Sequence, residues 1–256
     1  MDLRIFILYL LTVALFFFFQ PCHMESSDEN VVTMKIHHHN KYEWIGDTLV
    51  AGLTYHTRKD AIKLLSNKRL LFAGDSLSRR LAYSLYTFLK YENPTPRQIN
   101  KDPTGHKTIT NVVPDNNITI TSWWTPLMKN YLEKRHHISD FDYVFVSIGL
   151  HDSTYGGVES YNIIDEYLDV VIDDLNKIRL RTCPYPDKAL NRTIIDKINT
   201  ELRKRVPQSR LVDANRMMTG RDIGDTRIKG NSKEHFGPAA RAMFVQATLD
   251  NIATNP

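Results

Sequence analysis

The sequence predicts an α/β protein built on a mainly parallel sheet with helices on both faces. Two observations favour this fold: short continuous apolar runs typical of strands buried on both faces, and amphipathic segments of helical length between them. The chain has 256 residues, enough for one such domain and a leader. Its 33 Lys and Arg residues barely exceed its 29 Asp and Glu residues, so charge gives no argument for nucleic acid as a partner.

The first strong strand and the helix after it form the most informative segment. Leu70–Ala73 is a short apolar run, and Gly74 permits a sharp turn of the backbone. An amphipathic helix pattern then starts at Ser76 and is defined by Leu77, Leu81, Leu85, Phe88 and Leu89. A serine at this position, beside the positive end of a helix dipole, is typical of a catalytic nucleophile. The alternative interpretation is an ordinary strand-to-helix turn.

The rest of the chain alternates between helical and strand patterns. Helical spacing of apolar residues occurs at 61–65, from about Leu127 to His137, and at Tyr161–Ile178, Ala189–Arg205 and Pro238–Ile252. Strand patterns occur at Ile118–Ser122, Tyr143–Ser147, Ile178–Thr182 and Arg210–Val212. Parallel strands end at one edge of a sheet. We therefore expect one rim to hold the loops after Ala73, Ser147 and Val212 and the loop before Pro238.

A polar loop comes after the strand Tyr143–Ser147. Gly149 allows close backbone approach and the His151 ring can donate a hydrogen bond, so this loop can hold the negative charge of an oxyanion. The alternative is a strand-exit turn in which His151 caps a helix. Tyr155 precedes two glycines and is a candidate for stacking on a sugar ring. Trp123 and Trp124 point in opposite directions from a strand, so at most one of them lines the site.

The third rim element is the loop that carries His235, just before the final predicted helix. We predict that His235 is the general base, because a terminal loop of a wound sheet can lie beside the exit of the first strand. An imidazole there would remove the proton from the Ser76 hydroxyl, as in serine esterases.

These rim segments together resemble the SGNH/GDSL hydrolase superfamily and, more narrowly, its PC-esterase group. That group includes trichome-birefringence-like and capsule-type polysaccharide O-acetyltransferases. The resemblance covers about residues 43–252 and rests on Trp44 with Gly46, Lys68–Arg79, Trp124–Pro126, Gly149–Asp152, Arg181–Pro184 and His235–Phe236. It implies a flavodoxin-like three-layer α/β/α sandwich that acts on acyl esters of sugars through an acyl–Ser76 intermediate, with no metal and no organic cofactor.

The resemblance also implies roles for individual residues. Ser76 would be the nucleophile, and its N–H, with Gly149 and His151, would hold the oxyanion. His235 would act as base and then as acid. Arg79 matches the arginine that comes after the Gly-Asp-Ser segment in the group. The expected substrate-binding residues are Arg79, Asp152 and Tyr155.

Two positions depart from the family pattern. The superfamily's Gly-x-Asn-Asp segment is Gly149-Leu150-His151-Asp152 here, so an imidazole takes the place of the asparagine amide as donor. Members also usually carry aspartate three residues before the catalytic histidine, where this chain has Ser232. Serine can orient an imidazole but cannot offset its positive charge. The orienting residue is therefore either Ser232 itself or a remote acid: Asp213, Asp222 or Asp225. Two functions stay open: a serine-dependent carbohydrate acyl-esterase or O-acetyltransferase, and a non-catalytic glycan-binding or scaffolding descendant with a decayed triad.

The N-terminal residues predict export. Residues 1–23 contain a continuous apolar run, Ile5–Phe19, and indicate a signal peptide or a signal anchor. Residues 24–42 form a polar stem that includes three histidines, which we interpret as linker and not as a metal site. Residues 43–256 are the predicted catalytic domain. We expect a secreted protein or one in the lumen of the Golgi or endoplasmic reticulum, with a membrane contact only through the anchor.

Two further features concern the secretory pathway. Asn117 and Asn191 each begin a glycosylation sequon, which has meaning only if the chain enters a secretory lumen. Cys22 and Cys183 are the two cysteines of the chain, and their pairing stays open because cleavage of the leader could remove the first. The expected partners are a glycan substrate and, for a transfer reaction, an acyl donor.

Overall fold

The structure is a computed structural model that describes residues 43–45, 48–51, 53–94, 98, 105–147, 149–155, 165, 168–184, 192–218 and 236–255. All of them belong to the compact unit Asn40–Pro256. Its strands are β1 (Glu43–Ile45), β2 (Thr48–Ala51), β3 (Arg69–Gly74), β4 (Ile109–Val113), β5 (Ile118–Trp124), β6 (Tyr143–Ser147), β7 (Ile178–Arg181) and β8 (Leu211–Val212).

The helices occupy the segments between these strands and after the last one. They are α1 (Arg58–Leu65), α2 (Ser76–Lys90), α3 (Met128–Lys134), α4 (Leu150–Tyr155), α5 (Arg192–Arg205), α6 (Ala214–Met217) and α7 (Pro238–Thr254). Further helical residues lie at 168–173, and short 3-10 turns cover Pro114–Asn116, Arg135–Asp140 and Gln208–Arg210. Within this described part of the chain, no helix is long and apolar enough to cross a membrane.

The strands form a six-stranded sheet in the order β4-β5-β3-β6-β7-β8. Every pair from β5 to β8 is parallel, whereas β4 lies antiparallel to β5 at one edge. The predicted α/β fold with a mainly parallel sheet is therefore confirmed. The antiparallel edge strand β4 and the separate β1–β2 hairpin were not predicted.

Side chains from both faces of β3 enter the core, which explains its continuous apolar run. Leu70 and Phe72 pack in one cluster with residues of α2 and α7, while Leu71 and Ala73 pack in the other with residues of α3 and α5. Each of these four side chains is at most 1 % exposed. Helices on both faces of a central sheet give the three layers that the sequence predicts.

Several predicted boundaries shift in the structure. The described helical residues of the segment Tyr161–Ile178 end at 173, because Ile178 begins β7. The last strand begins at Leu211, since Arg210 belongs to a 3-10 turn. Strand β5 begins at Ile118 as predicted but continues to Trp124, and Asn117, just before it, is exposed and takes the left-handed conformation with φ of 50°.

Some predicted features fall outside the described residues. These are the leader, the stem with its histidines, Cys22, and the sequon asparagine Asn191. Cys183 is a buried free thiol two residues after the end of β7.

Candidate active site

The predicted nucleophile lies in a tight turn between the central strand β3 and helix α2. Gly74 ends β3 with φ of +153°, a conformation that L side chains rarely adopt. A Cβ atom there would lie 2.7 Å from the Ser147 carbonyl oxygen and 2.4 Å from Ser78 Oγ. Only glycine therefore allows the end of β3, the end of β6 and the first turn of α2 to approach this closely.

Asp75 is the N-cap of α2 and fixes the first turn of the helix. Its carboxylate accepts a hydrogen bond of 2.8 Å from the Leu77 N–H, and the residue is only 4 % exposed. Burial raises the pKa of the Asp75 carboxyl above its ordinary value, while the charges of Arg181 and His151 act in the opposite direction. The residue before the predicted nucleophile is thus an acid held inside the protein.

Ser76 is the first residue of α2 and stands at the carboxyl edge of the parallel sheet. It is 9 % exposed, so neighbouring residues cover most of its surface. The N-terminal turn of a helix carries partial positive charge, which favours an oxyanion formed beside it. The predicted location of Ser76 is confirmed, and its role as nucleophile stays a prediction.

A buried arginine beneath the turn was not among the predicted site residues. Arg181, the last residue of β7, is 3 % exposed. Its Nη2 atom donates to Ser147 Oγ at 3.0 Å and approaches Ser78 Oγ at 3.4 Å. The one local signal for it is that two charged residues, Arg179 and Arg181, alternate with apolar residues in a short strand.

The loop between β6 and α4 is organised by a buried carboxylate. Asp152 accepts hydrogen bonds from the N–H groups of Gly149 at 3.2 Å and Met128 at 3.3 Å, one on each oxygen. Burial raises the pKa of Asp152 to about 6, and the nearby Asp75 carboxylate adds to that rise. Asp152 therefore joins this loop to the start of α3. In the structure the Gly149 N–H donates to Asp152 and not to a ligand. The contact of Gly149 with an oxyanion stays a prediction.

Gly149 supplies the backbone conformation that this loop needs. Its φ is +111°, and an added Cβ would lie 3.1 Å from Ile198 Cδ1 in α5. The next residues begin α4 and place His151, which is partly exposed, beside Trp124 with ring centroids 5.7 Å apart in an edge-on arrangement. Tyr155 ends α4, and its predicted contact with a sugar stays a prediction.

Trp124 anchors an exposed loop beside the turn. Its ring stacks on His106 with centroids 4.1 Å apart and planes 5° apart, and the Arg79 guanidinium lies 5.3 Å from its centroid. Arg79 also donates a hydrogen bond of 2.6 Å to the Gly105 carbonyl oxygen. Arg79 is 8 % exposed. Its contacts with Trp124 and with the Gly105 carbonyl oxygen help to hold residues 105–107 in place.

Trp123 points the other way, as alternation along a strand requires. It packs edge-on against Phe141 at 5.7 Å in the core cluster that faces α3 and α5. The prediction that at most one of the adjacent tryptophans faces the site is confirmed, since Trp124 contacts site residues and Trp123 packs in the core.

Asp213 is the one candidate for a remote triad acid that the structure describes. It is 3 % exposed and its two oxygens accept from Arg203 at 2.9 and 3.0 Å and from Thr182 Oγ1 at 2.9 Å. It also caps α6 through the Arg216 N–H at 3.3 Å. These contacts are those of a residue that joins β7, β8 and α5.

The remaining catalytic candidates lie outside the described residues: Ser232, His235, Asp222 and Asp225. Phe236, the residue after His235, packs edge-on against Phe244 of α7 with centroids 5.4 Å apart. The pairing of Ser76 with His235 therefore stays a prediction. Among the described residues, no group of three or more His, Cys, Asp or Glu side chains is arranged to hold a metal ion.

Comparison with known protein families supports the resemblance predicted from the sequence. Residues 55–152 match the PC-Esterase family, described as a GDSL/SGNH-like acyl-esterase family found in Pmr5 and Cas1p. The matched segment includes the Ser76 turn, Arg79 and the loop with Gly149, His151 and Asp152. The predicted similarity to the SGNH/GDSL superfamily and its PC-esterase group is thereby confirmed. Comparison with curated proteins gave no match.

Solved structures of one enzyme are similar to most of the chain at low identity. An acetyl-xylooligosaccharide esterase mutant from Geobacillus stearothermophilus is 17% identical, with a TM-score of 0.48, and the match covers 74% of this chain and 96% of that chain. A catalytic mutant of this acetylxylan esterase is 15% identical, with a TM-score of 0.48, over 73% of this chain and 94% of that chain.

Proposed function

We propose that this protein is a serine-dependent acyl-esterase or O-acetyltransferase that acts on carbohydrate esters through an acyl–Ser76 intermediate. One observation carries the proposal: Ser76 opens a helix at the carboxyl edge of the central strand, within the segment that matches an acyl-esterase family. In such a turn the backbone presents the hydroxyl outward while the core holds both flanking elements. The carbohydrate substrate rests on the resemblance to the PC-esterase group.

In the proposed reaction His235 removes the proton from Ser76 Oγ as this oxygen bonds to the acyl carbonyl carbon. The same proton passes to the sugar oxygen as the ester bond breaks, which leaves an acyl–serine. Water, or the hydroxyl of a second sugar, then gives its proton to His235 and attacks the acyl carbon. Ser76 regains its proton when it leaves, so the enzyme returns to its starting state. No metal or organic cofactor takes part in this scheme.

We propose that the Ser76 N–H and the His151 ring hold the oxyanion. The position of His151 in the first turn of α4, partly exposed and beside Trp124, supports this role. A neutral imidazole supplies one N–H donor, and the ring position fixes where it points. Asp152 supports the arrangement by holding the loop from beneath.

We further propose that the protein acts in the secretory pathway, with residues 1–23 as signal peptide or anchor. Asn117 supports the proposal, because this sequon asparagine is exposed in a turn at the sheet edge opposite the Ser76 turn. A glycan there would not cover the Ser76 turn.

Covalent labelling tests the proposed chemistry. A fluorophosphonate probe should label the wild-type protein, and Ser76→Ala or His235→Ala should lower the labelling rate at least about 100-fold. Matched controls are Ser84→Ala, on the same helix and bonded to the Arg80 carbonyl oxygen, and His137→Ala, on the surface. Both controls should label at the wild-type rate. Absence of labelling in folded wild-type protein would contradict the proposal.

A glycan-binding protein with a decayed triad is the second candidate. Ser232 stands where the family carries aspartate, and the Asp213 carboxylate is already engaged by Arg203 and Thr182. This candidate predicts saturable binding of acetylated xylan without acetate release. Ser76→Ala would then leave the dissociation constant unchanged.

A further inference from the structure

Arg181 lies between helix α2, which begins at Ser76, and helix α7. Its Nη2 atom donates to Ser78 Oγ, 3.4 Å away in the first turn of α2. The carbon of its guanidinium lies 5.9 Å from the centroid of the Phe244 ring in α7. Phe244 packs edge-on against Phe236, with ring centroids 5.4 Å apart. A continuous series of contacts therefore joins the first turn of α2 to Phe236.

Every side chain in this series is deeply buried. Ser78, Arg181, Phe244 and Phe236 are each 3 % exposed. Solvent therefore screens the attraction between the guanidinium and the ring very little, and the contact is stronger than the same pair would be at a surface. Because a close-packed interior has few voids that could absorb a shift, a change at one end of the series displaces the other end.

The direction of α7 places Phe236 toward the carboxyl edge of the parallel strands. Arg179 on β7 donates to the carbonyl oxygen of Asn255, just after the end of α7. Arg181, two residues closer to the carboxyl edge, lies over Phe244, which precedes Asn255 by about three turns of helix. Helix α7 therefore runs antiparallel to β7, and it packs against α2. Its first turn, with Phe236 just before it, lies toward the edge where α2 begins.

We propose that Arg181 and Phe244 are positioning residues that set the distance between the Ser76 hydroxyl and the His235 imidazole. This inference rests on the proposed function. The peptide unit holds the Cα atoms of His235 and Phe236 about 3.8 Å apart, so a shift of Phe236 moves the backbone of His235 with it. A general base must lie within hydrogen-bond reach of the hydroxyl that it deprotonates. The series from Ser78 to Phe236 joins the two segments whose separation matters for that step.

A second arginine and ring on the same strand offer a matched control. Arg179 lies two residues before Arg181, so both side chains leave the same face of the sheet. Arg179 is 2 % exposed, and its guanidinium carbon lies 4.9 Å from the centroid of the Tyr143 ring. Tyr143 begins β6, at the end of the strand opposite the predicted site. The two pairs share residue type, strand, face and burial of the arginine, and differ in the end of the sheet that they join.

Steady-state hydrolysis of 4-nitrophenyl acetate by the full chain tests the inference. Arg181→Met and Phe244→Leu should each lower kcat about 100-fold, the scale of a reacting group misplaced by about 1 Å, with a smaller change in KM. The double variant should lose scarcely more than either single variant, because both changes break one connection. Arg181→Lys keeps a cation over the ring and should restore part of kcat.

The control pair separates positioning from loss of stability. Arg179→Met and Tyr143→Leu should keep kcat within about 2-fold of wild type even where their melting temperatures fall, when all variants are assayed well below the lowest melting temperature. If Arg181→Met does not fold, the comparison of Phe244→Leu with Tyr143→Leu decides the result alone.

Three outcomes would overturn the inference: a wild-type kcat in Phe244→Leu, equal losses of kcat in the two pairs, or losses that multiply to about 10,000-fold in the double variant. Failure of the proposed function is a separate result, seen as a wild-type protein that neither hydrolyses the ester nor reacts with the fluorophosphonate.

Discussion

Two aspartates in this fold occupy the same local position and differ in the residue that comes next. Asp75 ends the turn after β3 and caps α2, and Asp213 comes directly after β8 and caps α6. Both are nearly completely buried, and both accept a hydrogen bond from an N–H in the first turn of their helix. The next residue after Asp75 is Ser76, whereas the next after Asp213 is Ala214, which has no reactive group.

The side chains that surround Asp75 and Asp213 in the fold also differ. The Asp213 carboxylate is bonded to Arg203 and Thr182 and therefore ties elements together. Asp75 follows a central strand that has parallel neighbours on both sides, so Trp124 from β5 and His151 from the first turn of α4, after β6, meet near this turn. An aspartate cap after a parallel strand therefore indicates a site only where the strand is central and the next residue can react.

The largest effect on stability should come from Asp213. Asp213→Asn leaves the Arg203 guanidinium without its buried carboxylate and should lower the free energy of unfolding by about 3–5 kcal/mol, measured by urea denaturation. The folded fraction should still react with a fluorophosphonate at the wild-type rate, because the role assigned here is structural.

The matched change at the other cap should give the opposite result. Unlike Asp213, whose two oxygens accept from the Arg203 guanidinium, Asp75 accepts the neutral Leu77 N–H, and burial raises its pKa. Asp75→Asn keeps the acceptor for that N–H and should therefore cost little stability while labelling of Ser76 slows. If Asp213→Asn instead abolished labelling without loss of stability, Asp213 would be the triad acid and the comparison would fail.

A smaller effect should appear in the pH dependence of stability. Folding raises the pKa of Asp152 from 3.8 to about 6, so the folded protein binds this proton more tightly than the unfolded chain does. The contribution of Asp152 is therefore most favourable below about pH 4 and is lost as pH rises to about 6, by at most about 3 kcal/mol.

Denaturation of wild type and Asp152→Asn at pH 4 and pH 7 measures this contribution. Relative to wild type, the variant should gain stability at pH 7 compared with pH 4, since the amide does not titrate. A difference between the two proteins that is independent of pH would show that the Asp152 carboxyl titrates alike in the folded and unfolded chains.

The smallest effect should come from the loop at residues 105–107. His106→Ala removes the stack on Trp124 and should free the loop at a cost of about 1 kcal/mol, the scale of an aromatic pair. Hydrogen exchange should increase at residues 105–107, and the KM for an acetylated glycan should change more than kcat. Lys107→Ala, an exposed neighbour, is the control and should leave exchange unchanged. Equal exchange in both variants would mean that the stack does not hold the loop.

The sequence predicts the parts of the fold that depend on residues close together in the chain. The apolar run at Leu70–Ala73 and the helical spacing from Leu77 to Leu89 each repeat over several residues, and both appear in the structure as predicted. Strand β1 has three residues, and the apolar residues of β4, Ile109, Val112 and Val113, do not alternate with polar ones, so the two strands are too short or too irregular for periodicity to reveal them.

The site shows the same division between local and distant information. The turn that carries Ser76 was predicted because the apolar run, Gly74 and the helical pattern are consecutive in the chain. The contact of Arg181 with Ser78 joins residues that are 103 positions apart, and the stack of His106 on Trp124 depends on how a loop returns to a strand end. No pattern of neighbouring residues predicts such contacts, so the position of Arg181 under the turn is visible only in the structure.

The central claim is that Ser76 becomes acylated during turnover. Peptide mapping by mass spectrometry, after the wild-type protein is mixed with 4-nitrophenyl acetate and quenched in acid, tests it most directly. We expect one acetyl group on Ser76 and none on Ser78 or Ser84. His151→Ala removes the proposed oxyanion donor. The level of acetylated Ser76 should rise in this variant where deacylation is slowed more than acylation. Hydrolysis of the ester by wild type with an acetyl group on another serine, or with no acetylated peptide under conditions that trap a known acyl–serine enzyme, would contradict the account.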